Sequence, residues 1–228
     1  MQSFRILVIV IVMNDSQYLT AIYAFNYFGP VRVKLLLSYF KKAKNIWKSS
    51  KEKLIEVGLS QKKVIEFDDF RKSFDIEEYF DRLRNLKIGV VTILDKKYPR
   101  NLKGLSGAPS ILYYKGDLTC LKSDCVASVG SRQMTSYGRD ITEKFSGELS
   151  DFGVTIISGL ARGVDTFAHR ACLAAGGKTA AVLGNGLGHQ QYGPADPGRA
   201  HLHLQLQPRL RVAVRAGRHA ASPLHQQA

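Results

Sequence analysis

The chain is poor in cysteine and tryptophan, with three of the first and one of the second in 228 residues. Cys120, Cys125 and Cys172 are odd in number and form no CxxC pair, which argues against a disulfide framework and a zinc ribbon and for reduced thiols. His169 and Cys172 stand three apart on an expected helix, and a metal shared with Cys120 or Cys125 is the sharper reading of them. Small buried thiols are the simpler one, so no metal is expected. Long apolar runs are missing too. The run from Ile6 to Met13 falls well short of the roughly 20 residues of a membrane-spanning helix, and only Arg5 precedes it, without a small-residue cleavage site after it. Residues 1–15 therefore read as an apolar N-terminal extension, either a β-branched strand or the result of a start codon placed upstream. No membrane association is expected, and a cytoplasmic location is.

Lysine disappears beyond Lys178, while five of the six histidines (His189, His201, His203, His219, His225) crowd into the last stretch. Residues 188–228 form an atypical tail whose composition suggests a frameshifted or otherwise foreign reading frame. A histidine-rich metal tail is the alternative, and its spacing repeats no ligand pattern.

What the chain has in quantity is positive charge. Its formal net charge is +14, with a pI near 9.8. Such a field concentrates polyanions around the protein and puts nucleic acid ahead among partners. The hydrophobic content of 45% supports a buried core.

From about Ser16 to Phe70 apolar side chains recur at three and four, broken at Gly29–Pro30 and at Gly58–Ser60. This predicts a small bundle of three or four helices, with Trp47, Leu54 and Ile55 as core candidates. Lys41, Lys42, Lys44, Lys48, Lys51 and Lys53 give it a basic, solvated face. A charged helix follows from Asp75 to Leu86. Then the period changes to strands, "KIGVVTIL" and "SILYYKGD", joined by a turn-rich connection. Beyond them strands (Cys125–Val129, Val154–Ile157, Thr179–Leu183) alternate with helices (Tyr137–Asp151, Val164–Ala175). That alternation predicts an α/β fold, with a parallel sheet covered by helices on both faces and joined by right-handed crossovers.

Ligands of such a sheet bind at the carboxyl ends of its strands, where "GSRQMTSYG", "SGLARGVD" and "GNGLG" converge. Glycines let backbone approach a ligand, helix starts offer N–H groups to anions, and Arg132 and Arg162 add guanidinium forks suited to phosphate. The first loop is neither a GxGxxG nor a P-loop, which disfavours ordinary dinucleotide or ATP chemistry. The bland reading makes Gly130 and Gly138 tight turns and Ser136 a helix cap. Asp165 and His169 lie at i and i+4 and could act as an acid–base pair. A carboxylate favoured at a helix start, with a histidine bonded to it one turn on, is the structural alternative.

"VGSRQMTSYG" followed by "GVTIISGLARGVDTFAHRACLAAGGKTAAVLGNGL" closely resembles the DNA-processing protein A (DprA/Smf) family, as does "DKKYPRNLKGLSGAPSILYYKGDL" before it. The resemblance implies a Rossmann-like core over residues 75–187, incomplete at its end, preceded over residues 16–74 by a helical domain similar to a sterile alpha motif. It implies a protein without enzymatic activity or cofactor that binds single-stranded DNA regardless of sequence. Such proteins load RecA recombinase past the single-strand-binding protein in DNA processing, natural transformation and recombination, typically as homodimers. Carried over, the phosphate-binding residues are Gly130, Ser131, Arg132, Ser158, Gly159 and Arg162. Tyr137, Asn185 and Gly186 are the DNA-proximal candidates, Tyr137 for stacking on a base. Two departures stand out. The family's aspartate and Tyr-Pro after "GNGL" are replaced by Gly188 and a split Tyr192 and Pro194, so the remaining strands and the dimer surface are missing or scrambled. Tyr27 stands where a glycine is usual, which weakens a helix-hairpin-helix DNA contact. A Rossmann-like enzyme for a nucleotide or phosphoribosyl compound is the competing reading, and a non-functional truncated product with an unpaired sheet edge is another.

Overall fold

Asn14 opens the first helix by a capping box: its side chain accepts from the backbone of Gln17, whose own side chain returns to the backbone of Asn14. The computed structural model of the chain describes residues 13–25 and 27–183, and the backbone of residues 202–205. The helical domain contains α1 (Asp15–Ala24), α2 (Pro30–Phe40), α3 (Ala43–Trp47), α4 (Lys51–Glu56) and α5 (Gln61–Ser73). Five helices replace the three or four expected. Lys41 leaves α2 with a left-handed backbone (φ 64°), and the Ser50 hydroxyl caps α4, so one periodic stretch is cut into three short pieces. Leu19, Ile22, Leu36, Ile46, Leu54 and Phe67 are fully buried in its core, each contributing about 1.5–3 kcal/mol by leaving water. Trp47 packs against this core. Ile55, by contrast, is 43% exposed, since one residue beyond the buried Leu54 lies about 100° round the helix.

Asp68 ties the domain together. Its nearly buried carboxylate accepts from Arg71 (2.6 and 2.9 Å) and pairs with Lys51 (3.1 Å) and Lys72 (2.7 Å). Arg71 in turn donates to the carbonyls of Trp47 and Ser49, fixing the turn between α3 and α4.

Helix α6 (Ile76–Asn85) leads into β1 (Gly89–Thr92), the short α7 (Arg100–Lys103), β2 (Ile111–Gly116) and a 3-10 turn (Leu118–Lys122). Then come β3 (Cys125–Ala127), α8 (Ser136–Asp151), β4 (Thr155–Ser158), α9 (Val164–Ala174), β5 (Thr179–Leu183) and β6 (Leu202–Gln205). The sheet runs β1-β2-β6-β5-β4-β3; β3 to β6 are mutually parallel, and β1 and β2 join antiparallel. Within the atypical tail, the stretch Leu202–Gln205 thus fills a place between β2 and β5.

The expectation of helices on both faces is corrected for the described residues. The steps β3 to β4 and β4 to β5 run the same way across the sheet, so right-handed crossovers put α8 and α9 on one face, where they pack together. Ile156 meets Ala168 and Cys172 on that face. On the other, Ile157 and Ala180 meet Cys120 and Leu121 of the 3-10 turn and Tyr98 of the connection between β1 and β2. Those buried side chains of the connection and turn do the covering that a second helical layer was expected to do.

Candidate nucleic-acid interface

At the carboxyl end of β3 the chain turns through Gly130, Ser131 and Arg132, all exposed. The Ser131 hydroxyl accepts from the backbone of Gln133 (3.0 Å), which closes the loop on itself. Thr135, one residue before the expected Ser136, caps α8: its hydroxyl accepts from the backbone of Gly138 (3.1 Å). Tyr137 then points outward, 73% exposed.

The loop after β4 is shaped by three coupled features. Leu160 takes a left-handed backbone (φ 58°), a strained choice for a side chain of that size, and its side chain is buried beside Ala181 and Leu183. The Asp165 carboxylate accepts from the backbone of Gly159 (3.0 Å) and of Ala161 (3.3 Å), holding the loop on either side of that strain. Gly163 (φ 81°) starts α9 with its Cα against the first loop; a methyl group there would lie 2.1 Å from the Ser131 carbonyl oxygen.

The contact is reciprocal. A Cβ on Gly130 would lie 2.5 Å from Cγ2 of Val164, and the Val164 backbone donates to the Ser131 carbonyl (3.2 Å). The two loops are one interlocked surface. It presents Arg132 and Arg162 to solvent, neither in an ion pair among the described residues. Arg139 adds a third cation on the first turn of α8, near the face of Phe167 and 3.5 Å from Asp140.

Ser158 and Gly159 sit differently from the arginines. Ser158 is buried and donates to the Ser128 carbonyl (2.7 Å), joining the ends of β3 and β4. Gly159 is exposed but spends its N–H on Asp165. The helix starts are likewise partly engaged, Val164 by Ser131 and Gly138 by Thr135. Charge at this surface is therefore carried outward chiefly by guanidinium groups. Asn185 and Gly186 lie outside the described residues.

Sequence reasoning weighed Asp165 with His169 as a pair. Asp165 accepts from the loop backbone, and His169 Nδ1 lies 2.6 Å from the Thr179 hydroxyl at the start of β5. Gly163 and Thr135 were missed as site residues. The glycine before "VD", at the junction of a loop and an expected helix, and the threonine three residues before Gly138 were the available signals. Cys172 bonds the Lys178 carbonyl, and burial pushes the Cys120 thiol up to about 11 and raises those of Cys125 and Cys172. All three stay protonated at neutral pH.

Comparison with known proteins gives the family and the fold. The sequence model of the family described as DNA recombination-mediator protein A matches residues 89–197, ten residues beyond the end assigned to the core. Protein Smf of Synechocystis is 36% identical over 164 residues, 70% of this chain and 41% of that protein. DNA processing protein DprA of Streptococcus pneumoniae is 48% identical over 96 residues, 42% of this chain and 34% of that protein. The X-ray structure of the Streptococcus pneumoniae protein superposes with a TM-score of 0.68 and 31% identity, covering 87% of this chain and 71% of that one. The chain belongs to the DprA/Smf family. The family's Rossmann-like fold is present, and the chain spans well under half the length of these two sequence relatives. Among the described residues no helix is long and apolar enough to cross a membrane.

Proposed function

We propose that the chain binds single-stranded DNA through its phosphates, with Gly130, Ser131, Arg132 and Arg162 forming the contact surface and Ser158 and Gly159 shaping it from behind. The observation that carries this reading is the interlocking of Gly163 with Ser131 and Arg132, which fuses two loops into one cationic surface. Guanidinium forks and a close-packed backbone read phosphate oxygens and leave base edges unread, so binding is insensitive to sequence and sensitive to salt. Tyr137, exposed in the first turn of α8, supplies a ring for stacking, and Asn185 and Gly186, outside the described residues, are further DNA-proximal candidates from the sequence. In this reading the protein acts in DNA processing, natural transformation and recombination in the cytoplasm, passing strands to RecA recombinase past the single-strand-binding protein, as a homodimer and without enzymatic activity. The backbone N–H groups of Gly159 and Ala161 on Asp165, and Thr179 beside His169, support a structural use of these two residues over a nucleotide or phosphoribosyl enzyme.

Fluorescence anisotropy with oligonucleotides across a salt series tests it. Affinity falls steeply with salt, and Arg132→Ala weakens all sequences alike and flattens the slope by about 0.7. Equal binding by both proteins, with equal slopes, rejects the assignment; stabilisation by mononucleotides but not oligonucleotides restores the enzyme.

A further inference from the structure

The connection of residues 93–110 joins the end of β1 to the start of β2, and Thr92 and Ile111 pair with each other. Because β2 runs antiparallel to β6, and β6 parallel to β5, that connection leaves and re-enters the sheet at the edge where the parallel strands end. It therefore shares an edge with the Arg132 and Arg162 loops. Four strand spacings separate β2 from β3, about 19 Å.

The connection is a fixed platform. Tyr98 is buried (3% exposed) and donates to the Pro109 carbonyl. Asp95, its one acidic residue, accepts from the Thr92 backbone (2.7 Å) and from the hydroxyls of Thr92 (2.9 Å) and Ser16 (2.7 Å). Lys96, Lys97, Arg100 and Lys103 are all exposed, and among the described residues none is in an ion pair. The carboxylate faces in and the four cations face out. Asp165 and the two arginines show the same arrangement at the other end of this edge.

We infer that Lys96, Lys97, Arg100 and Lys103 form a second phosphate-contacting patch, so that one DNA strand runs along the carboxyl edge from the Arg132 loop to the α7 platform. This rests on the single-strand reading above and gives the strand a path along the edge and a minimum length. A short oligonucleotide held at Arg132 does not reach the platform, and a longer one does, in keeping with sites of about 4–16 nucleotides on comparable single-strand binders.

The test compares oligo-dT of about 4 and about 20 nucleotides on the full chain, on Arg132→Ala, and on the combined Lys96→Gln, Lys97→Gln, Arg100→Gln and Lys103→Gln variant. The combined variant weakens the 20-mer and lowers its salt slope by about 3, at about 0.7 for each lost single-strand contact, while leaving the 4-mer unchanged. Arg132→Ala weakens both lengths. If the combined variant binds the 20-mer like the parent while Arg132→Ala weakens both, the platform is overturned and the site reading stands. If the combined variant weakens the two lengths equally, its charges act only as a general field and the track is overturned. If neither variant changes anything, both readings fall. Thermal melting of each protein confirms folding, and Arg100→Glu alone gives a milder version with the same length dependence.

Discussion

The helical domain and the carboxyl edge of the sheet treat charge in opposite ways. In the first, cations and carboxylates meet one another: Asp68 gathers Lys51, Arg71 and Lys72, Lys63 meets Glu66, and Arg84 meets Asp81 in the adjoining α6. At the second, Asp95 and Asp165 turn inward onto backbone and hydroxyl donors while Arg132, Arg162 and the cations of the 93–110 connection face water, with Arg139 beside Asp140 the exception. Compensated charge stabilises a fold locally, whereas separated charge keeps a surface ready for an anion at the cost of self-repulsion. The same contrast holds for backbone. Both regions hold left-handed residues, Lys41 and Gly58 in the first and Leu160 and Gly163 in the second, but only in the second are glycines, Gly130 and Gly163, packed hard against a neighbouring loop.

The largest effect is expected where the two loops interlock. Gly163→Ala combines an unfavourable φ with a methyl group driven into the Ser131 carbonyl, for a loss of about 3 kcal/mol or more. Gly107→Ala, where nothing lies within 4 Å, stays within about 0.5 kcal/mol. Equal melting temperatures for the two variants would show that the loops are not packed as described.

Next is Asp68, which tests the compensated region. Removing the carboxylate in Asp68→Asn strips its partners and costs about 2–3 kcal/mol at neutral pH. Hydrogen bonds from Lys72 and Arg71 hold its carboxyl well below the usual carboxylate range. Since the folded value is depressed, its stabilisation is complete above the unfolded value near 3.9 and is lost as pH falls through the folded one. The gap in melting temperature between parent and variant should therefore persist above about pH 4 and narrow below it. A gap that widened with acid would reverse the assignment.

These two regions were unequally legible in sequence. Strand β5 and helices α8 and α9 follow from clean apolar periodicity, and the glycine-rich "GSR" turn marks itself. The helical domain was harder, because its break at Lys41 uses a residue common inside helices and left-handed lysine has no sequence signature, while Ser50, a favoured helix cap, was a signal left unread. The position of Leu160 was hidden for the same reason. Its strain is sustained by Asp165 five residues on, a side-chain hold on the loop that patterning reads as a helix-start carboxylate. The one-faced helical layer was invisible too, since alternation of strands and helices does not say in which direction the sheet is wound.

A smaller effect is expected at the helix start beside the site. Thr135→Ala removes the cap on Gly138 and costs about 1 kcal/mol, while Thr135→Ser restores it. If α8 is also what aims Tyr137, the alanine variant weakens oligonucleotide binding beyond its effect on melting, and the serine variant does not.

The smallest effect separates compensation from stability inside the helical domain itself. Lys63 and Glu66 lie three apart on α5, 2.5 Å between their charged atoms, with side chains 33% and 37% exposed. Lys63 also lies 5.0 Å from the centre of the Tyr27 ring, which Arg32 covers at 4.4 Å. Water screens such a pair, and ordering two long side chains offsets most of the attraction, so Glu66→Gln should change stability by less than about 0.5 kcal/mol. Lys63 keeps its place against the ring. A melting shift equivalent to more than about 1 kcal/mol, fading with added salt, would mean that surface pairing stabilises this domain generally. A null result leaves Asp68 as the pair that matters, because its carboxylate is withdrawn from water and the Lys63–Glu66 pair is not.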